Sequence, residues 1–136
     1  GQPLAIDESL VTLGDLLRIV ADRACEVVGL KLGRVGGITP ARRMRDVCLE
    51  AGIRMNVEDT GGTSLCATAV VHLAQTVPEP FRRATWLCLD HLTVDPVEGG
   101  VVNDLGYAEA PSGPGIGAVP DAMALGPPLA VFAASS

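Results

Sequence analysis

Val27-Val28-Gly29-Leu30-Lys31-Leu32-Gly33-Arg34-Val35-Gly36-Gly37-Ile38-Thr39-Pro40 is the stretch on which the fold turns. Its first six residues form an apolar run, and its glycines close that run before Thr39 and Pro40 supply an N-cap residue and a proline for the first helical position. From about Pro40 to Glu50 the spacing predicts a helix with Ala41, Met44, Val47, Cys48 and Ala51 on one face. Arg42, Arg43, Arg45, Asp46 and Glu50 lie on the other face as a solvated surface, and Gly52 is the stop. A strand of this composition reads as buried on both faces, so a surface role explains Lys31 poorly.

The same unit recurs on either side. Upstream, Leu4-Ala5-Ile6 ends in Asp7-Glu8-Ser9, and Leu13, Leu16, Leu17, Val20 and Ala24 follow at helical spacing, with Asp15 near the helix start. Downstream, Ile53 to Val57 ends in Glu58-Asp59-Thr60-Gly61-Gly62. A helix is expected from about Ser64 to Val77, with Cys66, Ala69, Val70, Leu73 and Val77 inward and Pro78 and Pro80 ending it. Ala84 to Leu89 is a fourth apolar run and ends at Asp90. Strand and helix alternating every 25 residues or so, roughly one βα unit each, predict an α/β fold with a parallel sheet. Right-handed crossovers make that sheet either a barrel sector or an open doubly wound sheet. Residues 1–93 carry this repeat, whereas 94–136 are Pro- and Gly-rich with little periodicity and read as an irregular tail.

Composition narrows the function classes. The 136 residues carry a formal charge of −6, which argues against nucleic-acid partners, since phosphate neutralisation needs clustered Lys and Arg. Hydrophobic residues make up 48% and charged residues 19%, the reverse of a disordered chain. Aromatics are 3%, so the core must come from Val, Leu, Ile and Ala. No apolar run approaches the roughly 18 residues of a membrane span. Even Leu129-Ala130-Val131-Phe132-Ala133-Ala134 follows Pro127-Pro128 and stops, so no membrane partner is expected. Gly1-Gln2-Pro3-Leu4 lacks a basic n-region and an initiator Met, and reads as neither a secretory signal nor a native start. Cys25, Cys48, Cys66 and Cys88 form no C-x-x-C pair and read as reduced, buried small hydrophobes of a cytoplasmic protein.

In a parallel α/β sheet the carboxyl ends of the strands converge on one face, which carries the site. Here those ends hold Asp7-Glu8, Lys31, Glu58-Asp59-Thr60 and Asp90. Charged groups in an apolar mouth cost several kcal/mol each unless paired or metal-bound. Singly, each carboxylate also suits a helix N-terminus. Gly33 to Gly37 fits neither the dinucleotide fingerprint nor the Walker sequence, which argues against a nucleotide-binding sheet.

Four stretches carry a family resemblance: Ala5-Ile6-Asp7-Glu8-Ser9, Leu30-Lys31-Leu32-Gly33-Arg34-Val35-Gly36-Gly37-Ile38-Thr39, Val57-Glu58-Asp59-Thr60-Gly61-Gly62 and Ser112-Gly113-Pro114-Gly115-Ile116-Gly117. In order and spacing they resemble the C-terminal part of the enolase superfamily, in its mandelate racemase and muconate lactonizing enzyme group. Within that group they look most like the cis-3-hydroxy-L-proline dehydratase and hydroxyproline-betaine epimerase relatives.

The resemblance implies the last four strands of a (β/α)7β TIM-like barrel and a tail returning toward a capping domain. It implies Mg²⁺ as cofactor, Asp7 as its third carboxylate ligand, Glu8 as a residue supporting that ligand, and Lys31 as an acid/base lysine. The implied reaction is α-proton removal from a small amino-acid or hydroxyproline-like carboxylate, through an enediolate, giving racemisation, epimerisation or dehydration. For that role the Lys31 pKa must fall from about 10.4 toward roughly 7–8.

No Lys-x-Lys motif precedes Asp7, and the strands bearing the other two metal ligands are absent. The expectation is therefore a fragment that is inactive alone, completed by a missing N-terminal half or by homo-oligomerisation. The alternative is a non-catalytic half-barrel assembling through open strand edges.

Specificity is expected on the later strand ends. Asp59 and Thr60 are candidates for a substrate ammonium and carboxylate, with helix capping as the plainer role. Trp86 is a candidate π face for a cationic amine or else a core residue, and Asp90 is a further candidate contact. His72 reads as structural, and His91 as a solvated loop residue.

Overall fold

The computed structural model describes residues 1–132, and its first four strands follow the sequence repeat closely. In chain order they are β1 (Ala5–Ile6), β2 (Val27–Lys31), β3 (Arg54–Glu58) and β4 (Arg82–Trp86). All neighbours pair in parallel in the order β1-β2-β3-β4. An order that never reverses, joined by right-handed crossovers, keeps the helices on one side and curls the sheet into a barrel sector. A doubly wound sheet would have reversed direction.

The connecting helices are α1 (Leu13–Asp22), the single turn α2 (Leu32–Val35), α3 (Ile38–Ala51) and α4 (Ser64–Ala74). Thr12 opens α1 with a capping box, its hydroxyl accepting from the Asp15 N–H at 3.2 Å and the Asp15 carboxylate accepting from the Thr12 N–H at 2.7 Å. The turn α2 was not visible in the sequence, where Gly33 read as the end of the strand. It moves the start of α3 forward: Gly37, at φ 108°, is the N-cap, and Pro40 sits in the first turn, where its missing N–H leaves no bond unmade. Gly52 closes α3 in the left-handed conformation, as the sequence predicted.

Strand alternation sorts the core. Val28, Leu30, Met55 and Val57 face the helices and are buried against Leu16, Ile19, Met44, Cys48 and Val70. The opposite face carries Gly29 and Lys31 of β2, Asn56 and Glu58 of β3, and Ala84 and Trp86 of β4.

Helix α4 departs from the expected one-sided pattern and ends at Ala74. Ala67, Thr68, Val71 and Ala74 are buried as well as Val70 and Leu73, whereas Cys66 is exposed. The cause is the segment after residue 93, which folds back on α4. It forms an antiparallel pair, β5 (Val97–Gly99) and β6 (Ala118–Pro120), followed by the short helix α5 (Ala122–Leu125). Val101 packs on Ala67 and Val71. Its N–H donates to the Thr68 hydroxyl at 2.8 Å, that hydroxyl donates to the Ser64 carbonyl, and Asp95 accepts from the Ser64 N–H. His72 contributes Nε2 to the Ile116 carbonyl at 2.9 Å, a structural role as expected. The last two residues of the apolar run Leu129–Ala134 lie outside the described residues.

Cysteine burial is a correction. Only Cys48 is buried; Cys25 and Cys88 are half-buried and Cys66 is exposed, all four as free thiols. No helix among the described residues is long and apolar enough to cross a membrane.

Candidate active site

The strand ends meet where the repeat predicted. Asp7, Glu8, Lys31, Arg34, Glu58, Asp59, Thr60, Trp86, Cys88 and His91 line one cavity of about 520 Å³. The Lys31 side chain is 11% exposed, and its Nζ lies 2.7 Å from Asp7 Oδ2, 3.2 Å from Glu8 Oε1 and 3.8 Å from Glu58 Oε2. The amine, on β2, thus sits among carboxylates from the ends of the two flanking strands, β1 and β3. The Asp7 bond holds its pKa above the ordinary lysine value, against burial, which works the other way. The downward shift required of a base is therefore absent while Asp7 carries its full charge.

Arg34 is the residue the sequence reading missed. The turn α2 carries it back over β1, where Nη1 donates to the Asp7 carbonyl and to Asp7 Oδ1, both at 2.8 Å, and Nη2 donates to Glu8 Oε1 at 3.0 Å. Hydrogen bonds from Lys31 and Arg34 hold the Asp7 carboxyl below its usual range, against burial, which is the largest single influence and raises it. Glu58, named among the strand-end carboxylates but given no role of its own, shows the opposite shift: burial and the nearby Asp7 charge raise it despite Lys31 and Arg34. A Cβ on Gly29 would lie 2.7 Å from Asp7 Oδ1 and 2.9 Å from Glu58 Oε1. The missing side chain is what lets the two carboxylates approach over β2, and a lysine three residues before an arginine was the available signal for Arg34.

Asp59 is buried, its Oδ1 accepting from the Gly61 N–H at 3.0 Å, and Thr60 lines the cavity beside it. Trp86 is 62% exposed, which removes the core reading and leaves an open ring at the mouth. His91 also lines the cavity. Asp90 does not. Strand β4 stops at Trp86, and Asp90 falls in a one-turn 3₁₀ helix (Leu89–His91) where it is exposed and outside the lining.

The donors around Asp7 are carboxylate oxygens, which suit a hard divalent cation such as Mg²⁺. Among the described residues no three His, Cys, Asp or Glu side chains come together to hold a metal ion. Asp7 thus fits such a cation as one ligand of a larger set.

The profile of the family described as enolase C-terminal domain-like matches residues 1–124. The chain belongs to the enolase superfamily, in its mandelate racemase/muconate lactonizing enzyme group. It is 35% identical over 130 residues to the cis-3-hydroxy-L-proline dehydratase of Roseibium aggregatum, covering 96% of this chain and 35% of that protein. A mandelate racemase/muconate lactonizing enzyme structure from Roseovarius nubinhibens ISM superposes with a TM-score of 0.91 at 34% identity, over 98% of this chain and 36% of that one. A second enolase-superfamily structure from the same organism, complexed with magnesium, gives 0.91 at 46% identity over 96% and 36%. The relatives include racemases and epimerases as well as dehydratases. The chain spans about a third of the length of the curated relatives it matches. The four-stranded sheet is therefore a sector of the superfamily's TIM barrel.

Proposed function

We propose that these 136 residues supply one side of the active site of a Mg²⁺-dependent racemase, epimerase or dehydratase acting on an amino-acid-derived carboxylate. The observation that carries this reading is the partly buried Lys31 amine held 2.7 Å from Asp7 on adjacent strand ends and lining the cavity. Asp7 would be one ligand of a divalent cation, whose charge would stabilise the substrate carboxylate as the α-proton leaves. Lys31 holds or takes the proton at Nζ. A cation on Asp7 would withdraw the carboxylate charge that now raises the lysine, which favours the neutral amine. Arg34 and Glu8 keep Asp7 oriented while this happens. Asp59 and Thr60 face the substrate's polar groups, and Trp86 offers its ring to a cationic nitrogen. Asp90 drops out of the substrate-contact set because it does not line the cavity.

The remaining metal ligands and the base for the opposite face of the substrate fall to polypeptide outside these residues. The test is a chimaera in which this chain replaces the corresponding third of the Roseibium aggregatum dehydratase. Its α-proton exchange in D₂O is followed by NMR over a panel of hydroxyproline-like and N-acylated amino acids. Lys31→Ala is expected to abolish exchange on one face while substrate still binds, because the residue acts mainly in the transition state. Exchange that survives the substitution on both faces would assign the base elsewhere.

A further inference from the structure

Lys31 is the single lysine of the chain, and its amine is held unevenly. Two of its three N–H groups go to Asp7 Oδ2 at 2.7 Å and Glu8 Oε1 at 3.2 Å, both at the end of β1. The third is left for the other flank, where Glu58 Oε2 lies 3.8 Å away, an ion pair without a hydrogen bond. Lys31 and Glu58 are register partners across β2 and β3, so the sheet itself fixes their backbones side by side at the cavity.

The two flanks also differ in what else holds them. Arg34 binds Asp7 and Glu8, whereas Lys31 is the only cation that pairs with Glu58 among the described residues. The Glu58 side chain is 12% exposed and shares the space above Gly29 with the like charge of Asp7. A carboxylate enclosed in that way adds little to stability, so its place is better explained by what it does to the amine. A Cβ on Gly29 would stand 2.9 Å from Glu58 Oε1. Without it, the carboxylate has room for the roughly 1 Å movement that turns the ion pair into a hydrogen bond.

Resting on the active-site reading above, we propose that Glu58 is a positioning residue for Lys31: when Asp7 gives up the amine to another cation, Glu58 takes it from the β3 side and keeps Nζ over β2, at the cavity. Without this second acceptor the amine would follow Glu8 alone, whose side chain is 74% exposed, toward solvent. A displacement of about 1 Å at a proton-transferring atom is enough to cost about 100-fold in rate.

The contact is tested on the chain itself. Because Lys31 is the only lysine, ¹⁵N-lysine labelling gives one ammonium signal, whose relaxation reads how fast Nζ reorients. Asp7→Ala removes the acceptor on the β1 side. Nζ is expected to stay ordered in that variant and to reorient at least about threefold faster once Glu58→Leu, a swap of similar volume, is added. Glu58→Gln in place of Glu58→Leu is expected to keep much of the order, since its amide oxygen still accepts. A reading that needs no change at Glu58 is the nuclear Overhauser contact between Lys31 Hε and Glu58 Hγ, expected to strengthen about twofold or more in Asp7→Ala as the pair closes to hydrogen-bond distance. Equal reorientation with and without Glu58→Leu, or no gain in that contact, would overturn the proposal.

The second arm uses the chimaera. There Glu58→Leu is expected to lower kcat for α-proton exchange at least about tenfold with KM within about twofold, and Glu58→Gln to restore part of the loss. A change confined to KM would also overturn the proposal, by placing Glu58 on the substrate instead of on Lys31. Should the parent chimaera exchange no α-proton while Nζ behaves as expected in the chain, the Glu58–Lys31 contact stands and the active-site reading falls.

Discussion

Substituting Gly29 by Ala probes whether the site and the fold share one constraint. The added Cβ would lie 2.7 Å from Asp7 Oδ1, 3.0 Å from Asp7 Cγ and 2.9 Å from Glu58 Oε1. Both carboxylates must then retreat by roughly half an ångström to reach ordinary contact distance. Asp7 cannot do so freely, because Lys31 and Arg34 grip it at 2.7 and 2.8 Å. Overpacking of this kind costs about 1–3 kcal/mol. Removing a strand glycine recovers about 0.5–1 kcal/mol through the unfolded chain. The net expectation is a loss of about 1–2 kcal/mol, or a fall in urea midpoint of about 0.5–1 M at a slope ordinary for a small domain.

Gly14→Ala is the control of opposite sign. In α1 its Cβ meets only the Thr12 hydroxyl, at an ordinary 3.5 Å, so it is expected to stabilise by about 0.5–1 kcal/mol. Far-UV circular dichroism is the better probe of unfolding, since the single Trp86 is already exposed in the native state. A Gly29→Ala chain as stable as the parent, with Gly14→Ala stabilised as expected, would refute the claim that the two carboxylates depend on that gap.

Thr68→Val should cost about 1–3 kcal/mol by leaving the buried Val101 N–H without its acceptor, and should speed hydrogen exchange at that amide; unchanged exchange would mean the tail does not rest on α4 through this bond. Glu58 has a folded pKa above its unfolded value, so as pH rises past about 4.5 the unfolded chain loses the proton first and stability falls until the folded group has also ionised. Glu58→Gln is therefore expected to remove that decline and leave the chain more stable than the parent at neutral pH, and urea titrations across pH 4–8 showing parallel curves would contradict it. Cys48, whose thiol burial pushes up to about 12, should resist iodoacetamide in the native state while Cys66 is modified; equal labelling of the two by mass spectrometry would show that α3 opens readily.

Periodicity along the chain determined the parallel repeat, the helices α1, α3 and α4, and the convergence of Asp7, Lys31 and Asp59. These are local matters: apolar spacing sets which face is buried, and parallel strands necessarily end on the same side. Only the tertiary structure decided the rest. Arg34 reaches Asp7 because one unforeseen turn, α2, redirects the chain. Glu58 and Asp7 meet because Gly29 offers no side chain between them, a relation among three strands that no window of one strand contains. Asp90 left the site when β4 ended at Trp86 and a one-turn helix intervened. Ala67, Thr68 and Val71 are buried because the segment after residue 93 returned to cover α4. A periodic pattern specifies that a face is covered, but the covering group is chosen by long-range packing, where sequence distance carries no information.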